Sequence, residues 1–151
     1  MMPVWLHHAQ QPDDYAALCR YISQRIWGKP RDFPLGTGLA VLDGGGLAAG
    51  LVYYDYDKDA GVIQISGAAE TPRWLTRPVL FEMFSYPFNQ MECQAVVMRV
   101  DPDDKRLERI LTAYRFEKHE IPRLRGRDKN ECLFILTDDA WKANGFHKDY
   151  D

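Results

Sequence analysis

The chain has only three cysteines, Cys19, Cys93 and Cys132, with no Cys-x-x-Cys spacing among them. An odd number of distant thiols argues against a disulfide framework and fits reduced thiols in a cytoplasmic protein. Histidine is also scarce. His7, His8 and His147 lie near the ends and show no ligand spacing with cysteines or carboxylates, so no metal site is expected. No stretch approaches the roughly 18 apolar residues that a membrane span needs. The opening MMPVWLHHAQQPDD lacks a basic segment followed by an apolar run, so no signal peptide is expected. Charge of one sign is not in excess. The formal net charge of -3 gives no overall attraction to nucleic acid or to an anionic membrane. Internal repeats, low-complexity tracts and linkers are absent as well.

What remains is an ordinary globular composition, with 46% hydrophobic and 27% charged residues. It places residues 1–151 in a single domain large enough for a sizeable core. A first helix is expected over about 12–26: Pro12 suits its first turn, Asp13 and Asp14 favour its positive end, and Tyr15, Leu18, Cys19, Ile22 and Ile26 recur at helical spacing. Gly28 and Pro30 stop it, and the segment GKPRDFPLGTG reads as loop. The extended runs LAVL, LAAGLVYYDY and VIQIS follow, separated by the turns Asp43–Gly46 and Asp57–Gly61, as in an antiparallel meander.

Thr76 is expected to cap a second helix reaching about Phe88. AVVMRV reads as a buried strand. Asp101 then caps a third helix with Pro102 first, and Leu107, Ile110, Leu111 and Tyr114 form its apolar stripe. FEKHEI and CLFILT form a last hairpin around the basic loop PRLRGRDKN, and a short helix over about 138–144 finishes the order. A strand–helix–strand step inside an antiparallel set implies an α+β fold, a mixed and mostly antiparallel sheet of about six strands flanked by helices.

This order, with the residues of 86–116, resembles the GNAT superfamily of acyl-CoA-dependent N-acetyltransferases, closest to the branch that acetylates ribosomal-protein and other amino termini. Tyr86-Pro87-Phe88 stands where that branch has Tyr-Ala-Phe, Asp104 stands at an Asn that opens the following helix, Arg115-Phe116 replaces a Gly-Phe pair, and Trp141 matches a tryptophan after the last strand. The resemblance covers about residues 12–142. It implies an acetyl group moved from acetyl-CoA to an amine acceptor: a protein amino terminus, a small amine or, as in some phage-borne relatives, a modified base. A monomer or homodimer would suffice.

The family's pyrophosphate loop is rich in glycine, because backbone N–H groups must approach the phosphates at a helix N-terminus. Its counterpart here, Arg73-Trp74-Leu75-Thr76-Arg77-Pro78, has no glycine. Arg73 and Arg77 would hold the pyrophosphate beside the remaining amides, or Trp74 would fill the space and leave a non-catalytic binding or adaptor module. Ser66, Gly67 and Ala68 take the place of the strand whose free backbone pairs with the pantetheine arm, although Gly67 could equally mark a bulge.

The family's usual proton-donating tyrosine is replaced by Thr112, leaving Tyr114 as donor or core residue. Glu70 is the candidate base, or an ordinary surface acid. His119 is a proton-transfer candidate or a structural histidine. Tyr53, Tyr54, Asp55, Tyr56 and Asp57 would make an acceptor wall or a half-exposed strand. Arg123, Arg125, Arg127 and Lys129 are a solvated turn, or a cationic acceptor mouth that favours an acidic or phosphate-bearing acceptor. The net negative charge argues against nucleic acid there.

Overall fold

Pro12 opens a helix whose far end is closed by Gly28 at φ 73°, a left-handed position that glycine adopts without steric cost. In the computed structural model, which describes residues 1–146, this helix is α1, Pro12–Trp27, as its spacing predicts. Among the described residues seven strands form one sheet in the order β1-β2-β3-β4-β5-β7-β6: β1 Met2–His7, β2 Thr37–Asp43, β3 Gly46–Asp57, β4 Val62–Ala69, β5 Ala95–Val100, β6 Glu117–Gly126 and β7 Lys129–Thr137. Three further helices are α2 Arg77–Ser85, α3 Lys105–Ala113 and α4 Asp138–Asn144. All pairings are antiparallel except β4 with β5. Among the described residues no helix is long and apolar enough to cross a membrane.

The seventh strand corrects the expected count of about six. β1 adds an edge beside β2, from Met2↔Leu42 to His7↔Thr37. Its residues are too irregular in polarity to announce a strand, and the pairing partner supplies the order. The hairpin loop is a second correction. β6 continues through PRLRG, and Gly126 pairs with Lys129. The ladder breaks between Ile121 and Gly126, where Pro122 has no N–H to donate and Arg123 sits at φ 66°.

The sheet's two faces are covered unequally. α1 lies on one face over β1 to β4, burying Leu18 and Ile22 against Ala40 and Val52. Gly50 lets it approach, since a Cβ there would stand 2.6 Å from Leu18 Cδ1. On the other face α2, α3 and α4 bury Val79, Met83, Phe84, Leu111, Tyr114 and Trp141 against Leu51, Ile65, Met98, Phe134 and Leu136. Each of these side chains contributes about 1.5–3 kcal/mol relative to exposure.

α2 ends at Ser85 rather than Phe88 because Pro87 lacks an N–H, and the chain continues as a π-helical turn over Tyr86–Gln90 with Met91 N–H bonded to Tyr86 O at 3.0 Å. α3 is capped by Asp104, not Asp101. Asp104 Oδ1 accepts the Leu107 amide at 3.1 Å, while Asp101 Oδ1 accepts the Asp103 amide at 2.9 Å and folds Asp101–Asp104 into a turn before the helix. At its other end Phe116 N–H reaches Leu111 O at 2.9 Å and Arg115 N–H reaches Thr112 O at 3.1 Å, a Schellman motif that puts Arg115 at φ 84°. The resemblance places a glycine at this position, and the backbone conformation is the reason one belongs there.

Candidate functional site

β4 and β5 run side by side only from Val62↔Ala95 to Gln64↔Val97. Beyond that β4 follows β3 to Ala69, while β5 follows β7 to Val100, and the strands part. A cleft of about 880 Å³ opens in the split, from Glu70 and Arg25 on the α1 side to Leu80, Leu107 and Phe146 on the α2–α3 side. Ser66, Gly67 and Ala68 line it with backbone that has no strand partner towards β5. The ladder with β3 is regular through Leu51↔Gly67, so Gly67 does not mark a bulge. Its missing Cβ makes room for Leu51, whose side chain a methyl group would strike.

The glycine-free loop is tied to itself. Thr71 Oγ1 accepts the Arg73 amide at 3.3 Å, Pro72 O accepts the Leu75 amide at 3.2 Å, and Trp74 O accepts the Thr76 amide at 2.9 Å. Thr76 caps α2 as the sequence predicts, its Oγ1 taking the Val79 amide at 3.4 Å. Pro72 and Pro78 bring no N–H at all. Trp74 and Leu75 line the cleft, and Trp74 packs against the main core. Arg73 and Arg77 are exposed and are not among the lining residues, whereas Asp104 is. The loop amides of Arg73, Leu75 and Thr76 are thus bonded within the loop, and the Arg73 and Arg77 guanidinium groups stand beside the entrance of α2.

At the α1 side Glu70 is held by two partners. Tyr21 Oη donates to Glu70 Oε1 at 2.8 Å and Arg25 Nε donates to the same oxygen at 2.6 Å, with the Arg25 guanidinium 3.6 Å above the Tyr21 ring. The Tyr21 hydrogen bond first, then Arg25, lowers the Glu70 pKa below the usual carboxylate range. Burial and the Glu70 hydrogen bond push Tyr21 up to about 12. These two partners favour the charged carboxylate and fix its position at the cleft edge.

Tyr114 stands at the cleft floor. It is 5% exposed, stacks on Phe84 with ring centroids 4.9 Å apart, and its Oη accepts Trp141 Nε1–H at 3.2 Å. Burial pushes its pKa up to about 12, against the opposing pull of hydrogen bonds from Trp141 and Asn144, so its proton is retained at neutral pH. It is a core residue and also part of the cleft lining.

His119 does not join the site. It lies on β6 at the sheet edge, 46% exposed, with Nε2 3.2 Å from Glu117 Oε1. The Tyr–Asp run of β3 is divided: Tyr53 is buried in the main core, Tyr54 bonds Ser66 Oγ at 2.8 Å, Tyr56 bonds Met91 O at 3.1 Å, and Asp55 sits at φ 52° accepting Gln64 Nε2 at 3.2 Å. His147 lies outside the described residues.

The basic hairpin is divided as well. Arg123 and Arg127 are exposed, and Lys129 is paired with Asp101 and Asp103 at 3.2 and 3.3 Å. Arg125 alone of the four lines the cleft, bonded to Glu131 Oε1 through Nε at 3.2 Å and through its terminal nitrogen at 3.0 Å. Arg99, also a lining residue, holds Glu131 Oε2 at 2.9 Å. Sequence reasoning missed Arg99, Glu131, Tyr21 and Arg25. The signal for the first two was a charge inside AVVMRV and another opening the apolar run of β7.

No protein-family model matches the sequence. No curated protein matches it either. Solved structures do. A GCN5-related N-acetyltransferase from Brucella melitensis superposes with a TM-score of 0.65 at 17% identity, over 94% of this chain and 77% of that one. A T. thermophilus protein described as an acetyltransferase gives 0.63 at 14% identity, over 85% and 71%. A mutant form of the spermidine N-acetyltransferase SpeG from Vibrio cholerae gives 0.59 at 9% identity, over 71% and 68%. Of two further structures described as acetyltransferases the chain spans less than two thirds, 60% and 63% of their lengths. The chain is thus similar in architecture to these solved structures described as acetyltransferases.

Proposed function

We propose that this chain is an acyl-CoA-dependent N-acyltransferase that passes an acetyl group through the β4–β5 split to an amine. The observation that carries the reading is the split itself: a cleft of about 880 Å³ with the Ser66–Ala68 backbone along one wall. Acetyl-CoA would supply an activated acyl thioester. In this reading the Ser66–Ala68 backbone pairs with the donor's amide-bearing arm, and Arg73 and Arg77 meet its diphosphate at the entrance of α2. In this reading Tyr114, whose Oη accepts the indole N–H, gives its O–H proton to the leaving thiolate. Glu70 and Arg25 form the acceptor mouth. The resemblance of 86–116 to the amino-terminal branch makes a peptide amino terminus the first acceptor to try.

The test is a calorimetric titration with acetyl-CoA. One-to-one heat, lost in Arg73→Ala/Arg77→Ala, is the expected result, and a flat trace with folded protein overturns it. A second reading has its own observation, the loop amides already bonded within the loop. In it the chain is a non-catalytic binding module with Trp74 as a plug, and Trp74→Ala then creates acetyl-CoA binding where the parent has none.

A further inference from the structure

Glu131 is a buried carboxylate in a β-strand, with a side chain 3% exposed, and both of its oxygens are taken by guanidinium groups. Arg99 reaches it from β5 and Arg125 from β6, so three strands converge on one acid. Buried charges are costly unless paired and oriented, and here one negative charge is shared by two positive ones. Asp101 and Asp103, which follow β5, are taken by Lys129. Arg99 keeps a side chain 45% exposed although it is anchored to Glu131 and to Leu124 O at 3.3 Å. Both arginines line the same cleft as Ser66, whose hydroxyl meets Tyr54.

The break in the β6 ladder at Pro122–Arg123 precedes Arg125, which is held by Glu131 and lines the cleft while Arg123 and Arg127 stay exposed. A turn serving solubility alone has no use for a buried acid that fixes two planar forks at a cleft wall. Glu131 takes the Nε and one terminal nitrogen of each arginine, so each has its other terminal nitrogen for a ligand, a charged donor that suits one carboxylate oxygen.

We infer that the acceptor is a primary amine carrying a carboxylate, which Arg99 and Arg125 bind while Glu131 orients them. The inference rests on the acyltransferase reading for the word acceptor, but the carboxylate site can be tested without the acyl donor. Arg99 and Arg125 are specificity-determining residues here, and Glu131 is a positioning residue.

The experiment is calorimetry on the full chain without acetyl-CoA, using N-acetyl-L-glutamate as a product-like probe and its uncharged diamide as comparison. N-acetyl-L-glutamate is expected to bind at least tenfold more tightly than the diamide. Arg99→Gln, at the more exposed position, should abolish the preference with the melting temperature retained. Arg125→Lys keeps the charge but lacks the planar group that could bridge Glu131 and a ligand, and should lower the preference several-fold. An acetylated tripeptide amide beginning with glutamate separates the two sources of the carboxylate. Tighter binding of the peptide points to an acidic amino terminus, and tighter binding of the free compound points to an amino acid. Equal affinity for probe and diamide, or a preference that survives Arg99→Gln and Arg125→Lys together, overturns the inference. If acetyl-CoA gives a flat trace while the carboxylate preference holds, the transferase reading falls and the anion site stands.

Discussion

Tyr53 Oη donates a hydrogen bond to the Met83 carbonyl at 2.6 Å in the buried core. A continuing helix would give that carbonyl to the amide of residue 87, and Pro87 has none. The tyrosine of β3 thus satisfies the acceptor that the proline of the following turn leaves open. Tyr53→Phe should cost about 1–3 kcal/mol by leaving the carbonyl buried and unmet. Urea denaturation measures it, and an unchanged midpoint would remove this account of where α2 ends.

Arg115 sits at φ 84° in the Schellman turn that closes α3. A side chain in the left-handed region costs on the order of 1–2 kcal/mol relative to glycine. Arg115→Gly should therefore stabilise the chain and raise Tm by roughly 2–4 °C per kcal/mol gained. Differential scanning calorimetry reads this directly. A lower Tm contradicts it.

Glu70 has a pKa lowered in the folded chain by Tyr21 and Arg25. A depressed folded pKa adds stability above the unfolded carboxylate value, which is lost as pH falls through the folded one. The stability gap between the parent chain and Glu70→Gln should thus be present at neutral pH and close in acid. If the chain acetylates an amine, Glu70→Gln should leave the rise of rate between about pH 6 and 9 in place, because a carboxylate is already ionised there. A rate lost evenly across that range would make Glu70 the base after all.

Glu131 stands between Arg99 and Arg125 with its side chain 3% exposed. Glu131→Ala leaves two guanidinium groups facing one another, and on the order of 3–5 kcal/mol of stability should be lost. Chemical denaturation of the variant beside Arg99→Gln separates the pair from the single charge. A cost below about 1 kcal/mol would show the cluster to be well solvated, as exposed pairs are.

Tyr114→Phe removes the acceptor of Trp141 Nε1–H. Under the proposed transfer it should lower kcat by on the order of 100-fold, a typical contribution of a positioned proton donor. Acetyl-CoA affinity should change little. An unchanged kcat returns Tyr114 to a purely packing role.

Much of the architecture was legible because its signals are local. Pro12 and Gly28 bound α1, Thr76 caps α2, and the Gly-rich turn after Asp43 separates β2 from β3. Where a distant partner decided, the reading slipped. β1 exists because β2 offers it an edge, and β6 extends through Pro122 because β7 runs opposite. The cap of α3 moved from Asp101 to Asp104 because two neighbouring aspartates compete for turn and helix amides, and spacing cannot rank them.

The sequence by itself determined the order of helices and meander, the bounds of α1, the cap of α2 and the absence of glycine from the loop before α2, because each depends on neighbours a few residues away. Only the tertiary structure decided that β4 and β5 part after Gln64 and Val97, that Tyr21 and Arg25 hold Glu70, and that Arg99 and Arg125 share Glu131. These arrangements join residues from separate strands and helices. Their energies come from burial and from matching charge across the sheet, and neither is written along the chain.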